Sequence, residues 1–422
     1  MRTETVDTLV VGGGAAGMSA AATLDSRGYS VALVERDDEL GGVLLQCIHN
    51  GFGLQEFNEE LTGPEYAERW IRTIEDTKTR VFCSTTIMEM NLLENGRKEC
   101  FGYSSRYGVL RFLARTVVLA MGCRERNRGN VMIPGTRPAG VYTAGLAQRL
   151  VNINGYIPGK DVVIVGSGDI GVIMARRMQW VGSTVHGVVE IQPYPSGLTR
   201  NISQCLHDFK IPLYLSHIIS RIHGRDRIEA VNVTPLKNGV PDYSQTFQLS
   251  CDTLLLSVGL IPENELSKQV GIELNPLTGG PLVDSMLMTN IEGIFSAGNV
   301  LHVHDLVDYV SAEARLAGEK VAEYLEGKRP KREIRVKPGA NVKYVNPTRI
   351  DPDGKSEIYL RPLVVANNIY LTISLNGDVI MNKKKSHVQP SEMIKLTLTP
   401  KIFQQLDTRK EAQMEVALKD ES

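Results

Sequence analysis

The six cysteines of this 422-residue sequence are scattered, at positions 47, 83, 100, 123, 205 and 251. No CxxC or CxxxxC pair occurs, which argues against a dithiol redox centre, a zinc site or an iron–sulfur cluster built by cysteines of this chain. The sequence also has no secretory signal pattern at its start. Free thiols without an export signal predict a cytoplasmic protein.

Long apolar runs and an excess of one charge are also missing. No segment approaches the ~20 apolar residues that a membrane-spanning helix needs. The formal net charge is −1, so no global field attracts nucleic acid or an anionic membrane. With 42% hydrophobic and 23% charged residues, the composition is that of a globular protein, and the length predicts two or three domains.

A glycine-rich turn follows the first apolar run, Thr8-Leu9-Val10-Val11, and leads into a helix of small residues. Gly12 is expected to make a tight turn, Gly14 to let a pyrophosphate approach the backbone, and Gly17 to let the helix pack on its strand. A second strand ends at Glu35, 18 residues after Gly17, where a carboxylate binds ribose hydroxyls. The stretch predicts a dinucleotide site.

The same design returns about 150 residues later, in strand 160–165 and the glycines Gly166, Gly168 and Gly171. Glu190 ends the next strand, 19 residues after Gly171. A carboxylate there accepts from a free ribose 2′-hydroxyl and repels a 2′-phosphate, which favours NAD(H) over NADP(H). Two such motifs predict two different nucleotides.

Polar and glycine residues between the motifs supply further candidates. Gly41 and Gly42 bring backbone close to a ligand, and Cys47 and His49 are candidate redox or acid–base residues. A lone cysteine is more often a small buried apolar residue, and a lone histidine is more often a satisfied structural group. The segment after Leu61 predicts a helix from Thr62 to about residue 78, capped by a Thr62–Glu65 box.

The later sequence predicts supporting structure. His302 and His304 would diverge on a helix, so no metal site is expected, and Asp305 is the expected N-cap of a helix over 306–326. After the basic linker 327–332, short alternating strands and the turn Asn376-Gly377 predict a small β domain. The tail after Asp407 is expected to be helical or frayed.

Together with the strand ends LAMG and LSVG and the segment GIFSAGN, these motifs make residues 1 to about 326 resemble the flavoproteins with two dinucleotide-binding domains. This is the pyridine nucleotide-disulfide oxidoreductase superfamily. The resemblance implies an α/β fold with two Rossmann-like parallel sheets, plus the C-terminal β domain. The implied domains are 1–142 with 264–326 for FAD, 143–263 for NAD(H), and 333–422.

The resemblance also implies two sets of cofactor-binding residues. The FAD set is Gly12, Gly14, Ala15, Ala16, Gly17, Glu35, Arg36, Gly41, Gly42, Gly122, Gly298, Asn299 and Asp305. The NAD set is Gly166, Gly168, Asp169, Ile170, Gly171, Glu190 and Gly259. The family usually has Asp where this chain has Asn299, and the missing cysteine pairs make disulfide reduction an unexpected activity.

The segments QCIHNGFG, LTGPEYAERW, GTRPAGVYTAG and GNVLHVHDLVD are more specific. They resemble FAD-dependent oxidoreductases associated with anaerobic glycerol-3-phosphate dehydrogenase and, more distantly, NADH-oxidising subunits of dye-linked proline and amine dehydrogenases. Such proteins often work beside a second flavoprotein subunit, and oligomers are compatible with this resemblance. No nucleic acid partner is expected.

Three hypotheses about function follow. In the first, an FAD enzyme exchanges a hydride with NAD(H) and passes electrons to or from a partner subunit or a soluble acceptor. In the second, the chain itself oxidises a small polyol phosphate, such as glycerol 3-phosphate, or an amine, with Cys47 and His49 at the flavin. In the third, it is a non-catalytic subunit that holds FAD.

Overall fold

The computed structural model describes residues 1–403 and 412–420 in two units. Residues 1–123 form the first unit together with the described part of 262–422, and residues 124–261 form the second. The first junction therefore lies between residues 123 and 124, rather than between 142 and 143. The strand Val141–Thr143 belongs to the sheet of the second unit, which explains the difference.

Helices and strands are numbered in chain order. The helices are α1 (Ala15–Ser26), α2 (Gly63–Glu75), α3 (Arg128–Val131), α4 (Ala144–Asn152), α5 (Asp169–Trp180), α6 (Thr199–Ile202), α7 (Glu265–Gln269) and α8 (Val307–Leu325). The strands before residue 150 are β1 (Arg2–Val11), β2 (Val31–Val34), β3 (Asn50–Phe52), β4 (Leu61–Thr62), β5 (Arg80–Phe82), β6 (Thr85–Leu92), β7 (Lys98–Ser104), β8 (Gly108–Leu119), β9 (Cys123–Glu125) and β10 (Val141–Thr143). The next strands are β11 (Asp161–Val165), β12 (Thr184–Glu190), β13 (Leu213–Leu215), β14 (His217–Gly224), β15 (Ile228–Lys237), β16 (Val240–Pro241), β17 (Phe247–Ser250), β18 (Thr253–Leu256), β19 (Leu260–Pro262) and β20 (Ile294–Ser296). The last strands are β21 (Ile334–Pro338), β22 (Val342–Asn346), β23 (Arg349–Ile350), β24 (Ser356–Pro362), β25 (Ala366–Leu375), β26 (Asp378–Val388), β27 (Ile394–Leu398) and β28 (Gln413–Lys419).

The main sheet of the first unit has the order β5-β2-β1-β8-β7-β6, and β20 also pairs with β8. Strands β1, β2, β5, β8 and β20 are parallel, whereas β6 and β7 continue from β8 as an antiparallel meander. Val11 is in register with Val34 and with Leu119, and Leu119 with Ser296. The carboxyl ends of these strands therefore meet at one edge, where open α/β sheets bind ligands.

Helices α1, α2 and α8 cover one face of this sheet with an apolar core. A Cβ on Gly318 of α8 would lie 2.8 Å from the Cβ of Thr23 on α1, so small residues let the two helices approach closely. Helix α8 confirms the helix expected over 306–326. Helix α2 begins after Thr62 with the expected capping box, in which Glu65 accepts from the Thr62 backbone at 2.8 Å.

The second unit contains an entirely parallel sheet in the order β10-β18-β11-β12-β13. Val165 is in register with Val189 and with Leu256, so the strand ends carrying Gly166, Glu190 and Ser257 also meet at one edge. Strand β15 forms a second, antiparallel sheet with β14, β16 and β17. The repeated sequence motif thus corresponds to a repeated architecture.

The C-terminal segment is a β structure, as predicted, and packs within the first unit. Its sheets have the orders β23-β21-β28-β25-β26 and β22-β24-β27 around one apolar core. Asn376 and Gly377 form the expected hairpin turn, with φ values of 51° and 99°. Residues 408–411 and 421–422 of the tail lie outside the described residues. Over Gln413–Lys419 the expectation of a helical or frayed tail is wrong, because β28 pairs with β21 and β25.

Candidate functional site: two glycine cradles and a buried histidine–glutamate cluster

The first glycine motif forms a tight turn between β1 and α1. Gly12 has φ +108°, and a Cβ there would lie 2.4 Å from the carbonyl oxygen of Ala120. A Cβ on Gly17 would lie 1.7 Å from the carbonyl oxygen of Gly12. A Cβ on Gly14 would meet nothing within 4 Å. Gly12 and Gly17 thus allow close packing of the backbone, whereas Gly14 leaves open space at the helix N-terminus, where phosphates bind.

Glu35 lies buried at the end of β2 beside this turn. Its Oε2 accepts from the Gly13 backbone N–H at 2.6 Å, and its Oε1 accepts from that of Asp37 at 2.9 Å. A carboxylate has about four acceptor positions, so about two remain for ribose hydroxyls. The structure therefore fits the predicted role of Glu35.

The Gly41–Gly42 pair contacts the same turn. The Gly41 N–H donates to the Gly13 carbonyl oxygen at 3.0 Å. A Cβ on Gly42 would lie 3.4 Å from the Cα of Gly14. The pair and the glycine motif therefore form one backbone cradle, called the first cradle below.

The remaining residues of the predicted FAD set also occupy or border this sheet edge. Ala15 and Ala16 begin α1, and a Cβ on Gly298 would lie 2.9 Å from that of Ala16. Gly122 has φ +70° and open space around its Cα, whereas Arg36 is exposed. A dinucleotide needs such a backbone-lined space, so the first cradle fits FAD.

Asn299 stands where the family usually has Asp. Its carbonyl Oδ1 accepts from the His304 backbone N–H at 3.0 Å. An Asp carboxylate would accept from the same N–H, so this bond does not require the amide. The Asn299 amide NH₂ is a donor group, which an Asp at this position would lack.

The second glycine motif repeats this geometry between β11 and α5. A Cβ on Gly166 would lie 2.0 Å from the Ser257 carbonyl oxygen, and a Cβ on Gly171 would lie 2.4 Å from that of Gly166. Around Gly168 the nearest atom to a built Cβ, Ser257 Oγ, is 3.9 Å away. We call this the second cradle, and its open position again precedes the helix.

Glu190 in the second cradle has more protein partners than Glu35. Its Oε2 accepts from the Ser167 N–H at 2.8 Å, the Ser167 hydroxyl at 2.6 Å and the Ser196 hydroxyl at 3.0 Å. Its Oε1 accepts from the Gln192 N–H at 2.9 Å. Three of these four donors bond to Oε2 and one bonds to Oε1. The side chain predicted to bind the NAD ribose therefore keeps only about one acceptor position, on Oε1.

Residues 191–198 supply two of these donors and continue across the cradle. The Asp169 carboxylate at the start of α5 accepts from the Leu198 N–H at 2.9 Å and from the Asn201 amide at 2.7 Å. A Cβ on Gly197 would lie 2.9 Å from the Ser167 carbonyl oxygen. We call residues 191–198 the strap. Ile170 follows Asp169 on α5, and Gly259, with φ +94°, follows the strand β18.

Cys47 and His49 lie after a short turn over Gly42–Gln46. The Cys47 thiol donates to the Val43 carbonyl oxygen at 3.2 Å, and burial raises the pKa of this thiol to about 12. The protonated thiol is a poor nucleophile. His49 packs against Phe52 with ring centroids 5.0 Å apart. A catalytic role for either residue stays a prediction.

Asp308 is a residue that sequence reasoning missed. It is buried in the first turn of α8, and its carboxylate accepts from the backbone N–H groups of Gly53, Gln55 and Glu56 at 2.8–3.2 Å. Arg315 of α8 also pairs with Glu56. These bonds fix the loop after β3 on α8.

The prediction that Asp305 caps α8 is wrong, because Leu306 is the N-cap. The Asp305 carboxylate instead pairs with Arg361 at 2.6 Å and accepts from the Met393 N–H at 2.6 Å. Burial raises the pKa of Asp305, although Arg361 opposes this effect. The pair joins the C-terminal strands to the segment before α8, and an FAD contact for Asp305 stays a prediction.

His302 and His304 do not diverge, because they lie on a loop rather than a helix. Their ring centroids are 4.2 Å apart, and both Nε2 atoms face Glu313 of α8, at 2.7 and 3.1 Å. The Gly298 N–H also donates to Glu313 at 2.7 Å. We call His302, His304 and Glu313 the buried triad.

The electrostatics of the buried triad favour an ionised carboxylate. Burial by itself raises the pKa of Glu313, but both neighbouring imidazoles outweigh it, and the net pKa is far below the ordinary value. Burial and the charge of His302 lower the pKa of His304. Glu313 is an acid within the otherwise small-residue face of α8, the one sequence signal that pointed to it.

A family model described as pyridine nucleotide-disulphide oxidoreductase matches residues 6–314. The chain belongs to this family. Members of this family have an α/β fold and are flavoproteins that use FAD and NAD(P)H. The more specific resemblance to glycerol-3-phosphate and amine dehydrogenase partners stays a prediction.

Two relatives and one solved structure are similar to the chain. Hydrogen cyanide synthase subunit HcnB of Pseudomonas protegens is 26% identical over 63% of this chain and 59% of its own length. NAD(P)H sulfur oxidoreductase (CoA-dependent) of Pyrococcus abyssi is 28% identical over 42% of this chain and 38% of its own length. The match thus spans less than two thirds of either relative. Thioredoxin reductase of T. acidophilum has a TM-score of 0.63 at 20% identity, over 76% of this chain and 99% of that chain, and shares the fold.

A search of the described residues finds no helix with the length and hydropathy needed to span a bilayer.

Proposed function

We propose that the protein holds FAD in the first cradle and NADH in the second, and that it oxidises NADH. The observation that carries this proposal is the repeated cradle, with an open glycine at each helix N-terminus and a buried acid at each neighbouring strand end. The two cofactors supply the hydride chemistry when bound. The protein binds them, orients them and keeps their surroundings shielded from water.

We further propose that the electrons leave to a partner subunit or a soluble acceptor other than a disulfide. The sequence has no CxxC or CxxxxC pair, so it lacks the dithiol with which disulfide reductases exchange electrons. HcnB, which is similar over 63% of the chain, is named as a subunit of a larger enzyme. This likeness supports a partner without identifying it.

Glu190 supports NADH over NADPH as the donor. A carboxylate at the end of β12 repels a 2′-phosphate even when it accepts four hydrogen bonds from the protein. Binding of both ribose hydroxyls has to displace a donor such as the Ser196 hydroxyl, which contributes about 1 kcal/mol. We therefore expect NADH to bind with a modest affinity.

Anaerobic titration of the FAD-loaded protein tests this function. We expect NADH to bleach the flavin absorbance with one equivalent per flavin, and NADPH to bleach it far more slowly. The matched control is Gly168→Ala, because a Cβ there has open space and leaves the fold intact. This variant should keep its flavin but lose bleaching by NADH. An unbleached wild-type flavin with both nucleotides contradicts the proposal, and bleaching by glycerol 3-phosphate alone favours direct substrate oxidation.

A further inference from the structure

The buried triad has the composition of a metal site. The side chains of His302, His304 and Glu313 are 0%, 0% and 1% exposed. One potential ligand atom from each residue lies within 4.8 Å of the other two. Two imidazole nitrogens and a carboxylate oxygen are a common donor set for zinc.

The triad also contains more donor capacity than its own hydrogen bonds use. The Nε2 atoms of both histidines bond to Glu313, but both Nδ1 atoms are buried without a hydrogen-bond partner. The hydroxyl of Tyr359, whose ring lies 5.3–5.5 Å from both imidazole rings, is likewise buried and unpartnered. An unpartnered buried polar atom costs about 1–3 kcal/mol. An ion bound at the two Nε2 atoms leaves the Nδ1 atoms as they are, so only the Tyr359 hydroxyl among the three is available as a further oxygen donor.

We propose that His302, His304 and Glu313 bind one divalent transition-metal ion, with zinc as the best match. Tetrahedral zinc with bonds of ~2.1 Å separates its ligand atoms by roughly 3.4 Å. The present separations from the two Nε2 atoms to the Glu313 oxygens are 2.7 and 3.1 Å. Each side chain therefore moves by only a few tenths of an ångström, with the imidazoles binding in their neutral form.

The electrostatics agree with a cation at this position. The Glu313 side chain is 1% exposed, and a buried carboxylate is a favourable position for a cation. Asp305 adds a second acid next to His304, but Arg361 pairs with it at 2.6 Å. Glu313 has no comparable arginine or lysine partner among the ion pairs of the described residues. A divalent ion supplies a positive charge in place of such a partner.

The burial also defines the kind of site. A catalytic zinc keeps an open position for water or substrate, whereas a structural zinc is closed. This site is enclosed by α8, by the loop that carries both histidines, and by Tyr344 and Tyr359 of the C-terminal strands. An ion at this enclosed position would link the loop of His302 and His304 to α8.

The test is metal analysis of the full chain expressed with zinc supplementation and without a histidine tag. After gel filtration in chelator, we expect about one zinc per chain, because a buried structural ion exchanges slowly. The Glu313→Gln and His302→Gln variants should each retain less than about 0.2 zinc per chain. The matched control is His387→Gln, which alters an exposed histidine that bonds to Asn367 at 2.8 Å, and it should keep the full zinc content.

Wild-type protein without bound zinc, or Glu313→Gln protein with an undiminished zinc content, overturns the proposal. Should the triad variants not fold, X-ray absorption of the wild-type metal decides between the outcomes. Nitrogen and oxygen neighbours with imidazole scattering support the triad, whereas any sulfur neighbour assigns the metal to a cysteine and overturns the proposal. None of these measurements depends on FAD or NADH.

Discussion

The two cradles have the same backbone design but differ in the state of their acids. Glu35 accepts two backbone hydrogen bonds and keeps acceptor positions for a ligand, whereas Glu190 accepts four. The extra donors at Glu190 come from Ser167 and from the strap. Two sites with the same glycine spacing can therefore differ in how readily they bind a nucleotide. The neighbouring loop determines how many acceptor positions of the glutamate remain for the ligand.

This difference accords with the proposed roles. A cofactor that stays bound profits from a site with free acceptors already in position, because less of the binding free energy is spent on reorganisation. A nucleotide that binds and dissociates in every cycle can use a site in which protein donors bond to the glutamate until the nucleotide binds. The strap is the element that distinguishes the second cradle from the first. Four predictions test this comparison.

The largest expected effect concerns the glycines that both cradles share. Gly17→Ala and Gly171→Ala place a Cβ 1.7 and 2.4 Å from a backbone carbonyl oxygen, so each should lower the free energy of unfolding by about 3–5 kcal/mol. Gly14→Ala and Gly168→Ala, which have open space, should change it by less than about 1 kcal/mol. Chemical denaturation of the four variants and the wild type, all stripped of flavin so that cofactor binding does not contribute, measures this. Equal stability of all four would show that the glycine contacts are misassigned.

The second prediction concerns the Asp305–Arg361 ion pair, which belongs to the first unit. Both side chains are mostly buried, at 14% and 12% exposed, so Arg361→Met leaves an uncompensated carboxylate. We expect a loss of about 3–5 kcal/mol, confined to the unfolding transition of the first unit. Lys268→Met, which breaks an exposed pair with Glu265, is the control and should cost less than about 1 kcal/mol. Calorimetry measures the stability of both variants. An Arg361→Met protein as stable as Lys268→Met would refute the stabilising role of the Asp305–Arg361 pair.

Some of the structure described above could be predicted from the sequence, and some could not. The glycine spacing and the acid at each strand end were sufficient to predict both cradles, because only glycine allows these backbone approaches. The hairpin turn at Asn376-Gly377 was predictable for the same local reason. Such features depend on few residues that are close together in the chain.

The buried triad and the Asp308 bonds were not predictable in this way. His302 and Glu313 are eleven residues apart, and their contact depends on a loop that positions the imidazole above α8. Asp308 bonds to backbone groups more than 250 positions away. The two donors that the strap supplies to Glu190 depend on the path of that loop. The course of irregular loops decides all three features, and no regular sequence spacing encodes it.

The third prediction tests the strap itself. Ser196→Ala removes the hydroxyl that donates to Glu190 at 3.0 Å, which frees one acceptor position. NADH should then bind about 3- to 10-fold more tightly, in line with one hydrogen bond. Ser244→Ala, which removes a hydroxyl bonded to Asp242 in the same unit, should leave NADH affinity unchanged. Calorimetric titration measures both, and weaker NADH binding by Ser196→Ala would show that the strap assists binding.

The smallest expected effect concerns Cys47 near the first cradle. Because burial raises the pKa of its thiol to about 12, it stays protonated at neutral pH. Cys47→Ser should therefore change the rate of flavin reduction by NADH by less than about 2-fold, whereas loss of a catalytic group costs 100-fold or more. Stopped-flow absorbance measures the rate. A large loss of this rate in Cys47→Ser would show that Cys47 is a catalytic residue.

The central claim is that the two cradles hold different nucleotides, and the flavin content of Gly14→Ala and Gly168→Ala tests it most directly. Each variant adds one methyl group to the open position of one cradle, so the two proteins differ only in which cradle is blocked. The flavin-to-protein ratio should fall to near zero in Gly14→Ala and equal that of the wild type in Gly168→Ala. Equal ratios in both variants, or loss of flavin from Gly168→Ala alone, would contradict the account.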